Sequence, residues 1–237
     1  MSPGDKHPRV ESAPPSTPTN LPKLLSLAVH EFRSPLSVVA GYIRMLLRDR
    51  AGPLPDPQRR LLEEAEKSCA RLSGLLAEVS ELSHLEAGTA PFNRSAVDVL
   101  RLLKESSAEL PPMPDREVRI DVTGEPAHVH GDAVRLKAAF TSILLALRRE
   151  LVTSDCVAVT VGTSPGNVII SICEAARLDR LQHASPEDFA TFDEWRGGSG
   201  LSLPTARRVI EAHGGRILGL RHDGKAVATI SIPRVAS

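Results

Sequence analysis

The sequence predicts an α+β chain, a helical hairpin followed by an α/β sandwich, and three observations carry that prediction. Apolar residues recur at alternating steps of four and three from about Leu21 to Arg50, and again from about Pro57 to Ala87, the spacing of amphipathic helices that pack on one another. After Gly88 the texture changes to short alternating runs interleaved with helical patterns, which suits helices over one face of a mixed sheet. Hydrophobic residues make up 41% of the 237 and aromatics only 3%, so the chain has a real core built from Leu, Val, Ile and Ala.

Composition excludes several function classes. Lys plus Arg equals Asp plus Glu at 29 each, so no bulk charge points to nucleic acid or an anionic membrane. Cys69, Cys156 and Cys173 are three in number with no close pair, which argues against a disulfide framework or a zinc module and fits a reducing cytoplasm. No apolar run reaches the roughly 18 residues of a membrane span, and the first 20 residues lack the apolar core of a signal peptide. The expectation is a cytoplasmic protein with no membrane span and no sensor of its own, led by a disordered Pro/Ser/Thr-rich segment at 1–20.

In the first helical run, Leu25, Val29, Phe32, Leu36, Val39, Ile43 and Leu46 form one unbroken seam, with Pro35 inside it. The proline removes a backbone donor and is expected to bend the helix. Ala51–Pro57 breaks the run, and Asp56-Pro57 reads as a cap with proline in the first turn of a second helix. There Leu62, Ala65, Cys69, Leu72, Leu76 and Val79 repeat the seam, and Gly88 ends it. One hairpin cannot bury both seams well, whereas two hairpins from two chains make a four-helix bundle. Periodicity alone fits equally an ordinary hairpin packed on its own chain; residues 21–90 are read as a dimerising hairpin.

The second half, 97–237, reads as a short helix from Val97 to Leu110 and a strand from Glu117 to Val122. A helix follows over Asp132–Leu151, then two strands at Cys156–Val161 and Asn167–Cys173 around Ser164-Pro-Gly166. An irregular stretch covers 175–199, a helix spans Pro204–His213, and two closing strands flank a turn at Asp223-Gly224.

The segment His30-Glu-Phe-Arg-Ser-Pro-Leu36 resembles the phosphoacceptor box of sensor histidine kinases. The box consists of a histidine, an acidic neighbour, a proline five positions on and a following apolar residue, and here it lies on the first helix of a seamed hairpin. Val29 and Phe32 belong to the seam, so His30 sits beside it and faces a partner. Neutral imidazole is a nucleophile. The resemblance implies that Glu31 is the base that activates His30. Ser34 lies one turn after His30 and can share its face. Family members that also dephosphorylate their partner carry Thr or Asn there, and Ser keeps only the hydroxyl.

Residues 97–237 resemble the ATP-binding domain of the same family. Gly197-Gly-Ser-Gly-Leu-Ser-Leu-Pro through Gly214-Gly215 looks like its second glycine box, with Gly198 and Gly200 placed to offer backbone amides to phosphate. Three features depart from the family pattern. The asparagine that would hold magnesium falls at about Ala146, which has no oxygen to offer a hard cation. Glu174 replaces the aspartate that accepts from the adenine amino group, and Ala176 and Leu178, with Arg177 between them, replace the following glycines. Ser202 stands where a further glycine is expected, and the segment between the boxes is short.

Phosphoryl transfer depends on charge neutralisation by the metal, so these departures weigh against ATP-driven autophosphorylation. The reading is a two-component or phosphorelay protein: His30 accepts a phosphoryl group, from ATP or from a phosphorylating partner kinase, and passes it to an aspartate of a response regulator receiver domain. ATP and Mg2+ are implied only where the pocket functions. The rival readings are an active ATP-dependent kinase with a divergent pocket and a non-catalytic regulatory partner of another kinase. His128 and His130 form a weak metal pair with no third ligand nearby. Arg44, Arg48, Arg50, Arg59 and Arg60 at the closed end of the hairpin read as a solvated face; Phe189 and Phe192 resemble the aromatic patch before the family's glycine box, and a local core role explains them equally well.

Overall fold

The computed structural model describes residues 21–151, 154–195, 200–221 and 226–235. The lead segment 1–20, Gly197–Ser199 with its candidate Gly198, and the turn at Asp223-Gly224 lie outside the described residues.

Helices α1 (Leu21–Leu47) and α2 (Asp56–Glu86) form the hairpin. α1 continues through Pro35. Pro57 occupies the first turn of α2, where its missing N–H costs nothing. The antiparallel pairing is pinned at both ends: Ser83 Oγ donates to the Pro22 carbonyl at 2.6 Å, and Arg59 donates to the Leu47 carbonyl at 2.8 Å. Between these ends the seam divides. Val29, Ile43 and Cys69 are buried between the two helices, whereas Phe32 is 62% exposed and Val39 and Leu72 lie on the surface beside it. Gly88, at φ +66°, takes the left-handed conformation that turns the chain off α2.

A short antiparallel pair, β1 (Ser95–Asp98) and β3 (His128–Gly131), precedes the main sheet. That sheet has the order β2-β4-β5-β8-β7-β6, from β2 (Arg119–Gly124), β4 (Cys156–Ser164), β5 (Asn167–Glu174), β6 (Phe189–Thr191), β7 (Arg216–Leu220) and β8 (Val227–Pro233). β2 runs parallel to β4 and the remaining pairs are antiparallel. Helices α3 (Val99–Ala108), α4 (Ala133–Glu150) and α6 (Ser202–Ala212) cover one face. Val157, Val159, Ile170, Ile172, Ala228 and Ile230 point into a single core with Leu103, Leu136, Phe140 and Ile210. Residues one step along each strand face the other way. Toward one end of that second face Cys173, Val227 and Leu220 are buried beneath Leu178 and Leu181 of the short helix α5 (Leu178–Gln182).

Two expectations differ in detail. The helix expected from Val97 begins at Val99, because Asp98 serves both as the last residue of β1 and as the cap whose carboxylate accepts from the Arg101 N–H. The stretch expected to be irregular after Glu174 contains α5 and β6, held by the small second core.

The two halves meet through α2, α4 and α6. Arg135 of α4 pairs with Glu81 of α2, donates to the Pro91 carbonyl at 3.1 Å and stands 4.9 Å from the centre of the Phe92 ring. Arg208 of α6 pairs with Glu86 at 2.5 Å. Behind them the Asp132 carboxylate accepts from the backbone N–H of Asn93, Val134 and Arg135, and the Asp132 N–H donates to His213 Nε2 at 2.9 Å. His213 Nδ1 lies 2.6 Å from the Val209 carbonyl, so Nδ1 carries the proton and both bonds require a neutral ring. Gly215 follows this cap, and a side chain there would meet the Ser231 carbonyl at 2.6 Å.

Burial holds the His213 imidazole below its ordinary pKa. The unfolded chain therefore takes up the proton first as pH falls, so stability is complete above about pH 6.5 and declines below it. Burial pushes the Asp132 carboxyl up, but its three backbone donors outweigh that and hold it below the usual range, which extends the loss toward pH 4. Urea midpoints measured from pH 7.5 down to 4 should fall steadily through this window; a flat profile would contradict the assignment.

Candidate functional site

His30 stands on α1 with its side chain 82% exposed, and Glu31 Oε1 lies 3.7 Å from its Nδ1. The helix forces this arrangement. The positions facing α2 are Val29, Leu36 and Ile43, and His30 is turned about 100° from Val29 by the helical step. At that distance the carboxylate lies on the Nδ1 side of the ring, within ion-pair reach but outside hydrogen-bond length. Ser34 follows one turn later, exposed, on the same flank of the helix. The structure thus brings His30, Glu31 and Ser34 to one solvent-facing strip with none of the described residues packed over it.

The second candidate region lies at the other end of the sheet. Glu174 is the last residue of β5, and its register with Val157 puts its side chain on the helix-covered face. Its Oε2 accepts from Arg177 Nε at 3.1 Å. Ala146, on the sheet side of α4, is 1% exposed. Four residues on, Glu150 Oε2 accepts from the Ala226 N–H at 2.5 Å. Gly200 is exposed, with φ +60°, just ahead of α6.

Residues 22–88 match the His Kinase A (phospho-acceptor) domain. The chain is 27% identical over 229 residues to the probable sensor histidine kinase TcrY of Mycobacterium tuberculosis, covering 94% of this chain and 48% of that one. It is 24% identical over 212 residues to the sensor protein VanS of Enterococcus faecium, covering 86% of this chain and 55% of that one. Residues 22–88 thus carry a histidine kinase phosphoacceptor domain, and the chain is similar over most of its length to sensor histidine kinases. It spans about half the length of these two relatives. Among solved structures, full-length ShkA in complex with AMPPNP superposes with a TM-score of 0.68 at 22% identity, over 91% of this chain and 46% of that one. That likeness shows the fold: a histidine-kinase hairpin followed by the α/β domain of the same enzymes.

The two regions stand in contrast. The hairpin strip keeps histidine, carboxylate and proline in their places. In the α/β domain the residues present do not fit a magnesium ion: Ala146 offers no oxygen, Glu150 is engaged by backbone, and no group of three His, Cys, Asp or Glu among the described residues can hold a metal. His128 and His130 both stand exposed on β3 with no third ligand. The Glu174–Arg177 pair escaped sequence reasoning, because the two residues meet only through the 3-10 turn at Ala175–Arg177. The Asp132–His213 link escaped it too; an Asp before a helix and a His before Gly-Gly were its only traces. No described helix is long and apolar enough to cross a membrane.

Proposed function

We propose that the chain works in two-component or phosphorelay signalling as a phosphotransfer protein, with His30 as acceptor. The observation that supports this most directly is the exposed His30 ring with Glu31 on its Nδ1 side. A neutral ring that shares its Nδ1 proton with Glu31 presents Nε2 as the free lone pair. Nε2 attacks the phosphorus of the donor, the bond from phosphorus to the donor's leaving atom breaks (nitrogen in a phosphohistidine, oxygen in ATP), and the positive charge left on the ring is offset by the carboxylate. The phosphoryl group then passes to an aspartate of a receiver domain. Ser34, one turn from His30, keeps a hydroxyl at the position where family members that also dephosphorylate their partner carry Thr or Asn. A phosphorylated partner kinase is the donor this reading favours, because the Glu174 carboxylate is already engaged by Arg177 and Ala146 supplies no metal ligand. ATP is the second route, supported by the AMPPNP held in ShkA and by the carboxylate that Glu174 keeps. In that route Glu174, Gly198 and Gly200 would line the nucleotide. The domains of this reading are the hairpin at 21–90 and the ATPase-like unit at 97–237, in the cytoplasm.

Incubation with radiolabelled ATP and magnesium, and separately with a labelled phospho-donor kinase, reads out the acceptor and its donor. Acid-labile label from the kinase and none from ATP is the expected result. Label from ATP alone would make the chain an autokinase, and no label from either would leave a regulatory scaffold.

The uncovered apolar strip on the hairpin supports homodimerisation through 21–90. Phe32, Val39, Tyr42 and Leu72 are exposed there, a patch that a second hairpin buries as a four-helix bundle. Sedimentation should give twice the chain mass. Phe32→Glu should weaken the dimer about 100-fold by burying an unpaired charge.

A further inference from the structure

A cavity of about 800 Å3 opens at the C-terminal end of α4, between the end of α3, the segment 110–117 and β2. It is remote in sequence from the His30 strip and shares no lining residue with the Glu174 region. Leu110, Pro112, Met113, Val118 and Ile120 supply the apolar side chains of a wall that is otherwise polar. Against this wall stands Arg148, only 7% exposed. Its guanidinium donates once, to the Pro111 carbonyl at 2.8 Å, and its Nε is buried with no acceptor. Among the described residues no carboxylate pairs with it, and the neighbouring charge that acts on it is Arg149, of the same sign. Asp115 and Glu117 line the cavity but stand exposed. Arg116 adds a second guanidinium, donating to the Arg148 and Leu151 carbonyls.

A buried charge is stable when it is paired. The carbonyl end of α4 offsets part of the Arg148 charge, but a helix end supplies only a fraction of a counter-charge and satisfies no donor on Nε. Solvent water would leave the charge unanswered, and Nε is too deeply buried for water or ligand to reach. A ligand with a negative head and an apolar body answers the charge and covers the apolar side chains. We infer that this cavity binds a small organic anion, a carboxylate on an apolar body, with Arg148 as its counter-charge. The planar guanidinium fork matches a carboxylate geometrically, and the Leu110 to Ile120 wall takes the hydrocarbon. The assignment is independent of the phosphotransfer reading, since it concerns binding alone.

The test uses the full chain, isothermal titration and thermal unfolding, with sodium hexanoate as the probe. Sodium phosphate and hexylammonium chloride are the comparison solutes. Hexanoate should bind saturably and raise the unfolding midpoint, hexylammonium should do neither, and phosphate should bind at least about tenfold more weakly. Arg148→Met should fold as well as the parent or better, because an apolar chain of similar length replaces an unpaired buried charge. It should bind hexanoate about tenfold or more weakly. No saturable response in the parent chain, phosphate binding as tightly as hexanoate, or full binding by a folded Arg148→Met would each overturn the inference. Should Arg148→Met lose its fold, Val118→Trp decides, since it fills the wall and leaves the charge in place. Retained hexanoate binding in that variant overturns the inference as well.

Discussion

Replacing His30 with Ala should abolish acid-labile phosphorylation of the chain and leave its unfolding midpoint unchanged. The two halves of that result come from one fact. The ring is 82% exposed and touches nothing of the core, so its removal costs the fold almost nothing. The same exposure leaves its ring nitrogens open to an incoming donor. Glu31→Gln should keep the acceptor and slow its phosphorylation by about 10² to 10⁴, the range for losing a positioned base. Glutamine still offers an oxygen to Nδ1–H but carries no charge to balance the phosphorylated ring. The pair of variants is read by quenched time courses of label incorporation from a phosphorylated donor. A Glu31→Gln chain that labels as fast as the parent would reduce Glu31 to a solvated helix charge.

Phe140→Ala should give the largest loss of stability in the α/β domain. Phe140 is fully buried on α4, in the core shared by α3, α6 and the inner face of the sheet. Its truncation removes the apolar ring from that core and leaves a cavity that rigid strands on one side cannot fill. A loss of about 3 to 5 kcal/mol is expected, a large fraction of the roughly 5 to 15 kcal/mol that holds a domain together. Equilibrium urea unfolding monitored on the α/β domain measures it. A loss below about 1 kcal/mol would mean that α4 re-packs over the gap.

The helices were legible because their signals are local. The four-three spacing gave both arms of the hairpin and Gly88 the end of α2; Asp56-Pro57 gave its start, but Asp56 is the first helical residue after Pro55 and its side chain makes no cap hydrogen bond. The position of His30 beside the seam followed from the same spacing. Short strands carried less signal. Ser95–Asp98 is four residues long and runs straight into a helix, so Val97 and Val99 read as one apolar helical run. The parallel pairing of β2 with β4 left no trace in either strand, since it depends on where the chain returns after α4. The exposure of Phe32 within an apparently uniform seam was likewise invisible, because a seam residue looks the same whether it meets its own chain or another. At Glu174 the residue was legible and its partner was not: Arg177 reaches it only because the backbone takes a 3-10 turn rather than continuing the strand.

The parallel β2–β4 pair has a consequence for the order in which the chain assembles. Arg119 must find Cys156 only after β3 and the whole of α4 have been made and folded back between them, and the Arg94 contact with Ala212 spans 118 positions. Closing such loops is slow compared with zipping two neighbouring helices. The hairpin needs no contact beyond the 61 positions between Pro22 and Ser83. The arm that carries His30 is thus expected to be in place, ready to find its twin, while the sheet behind it is still searching for its register.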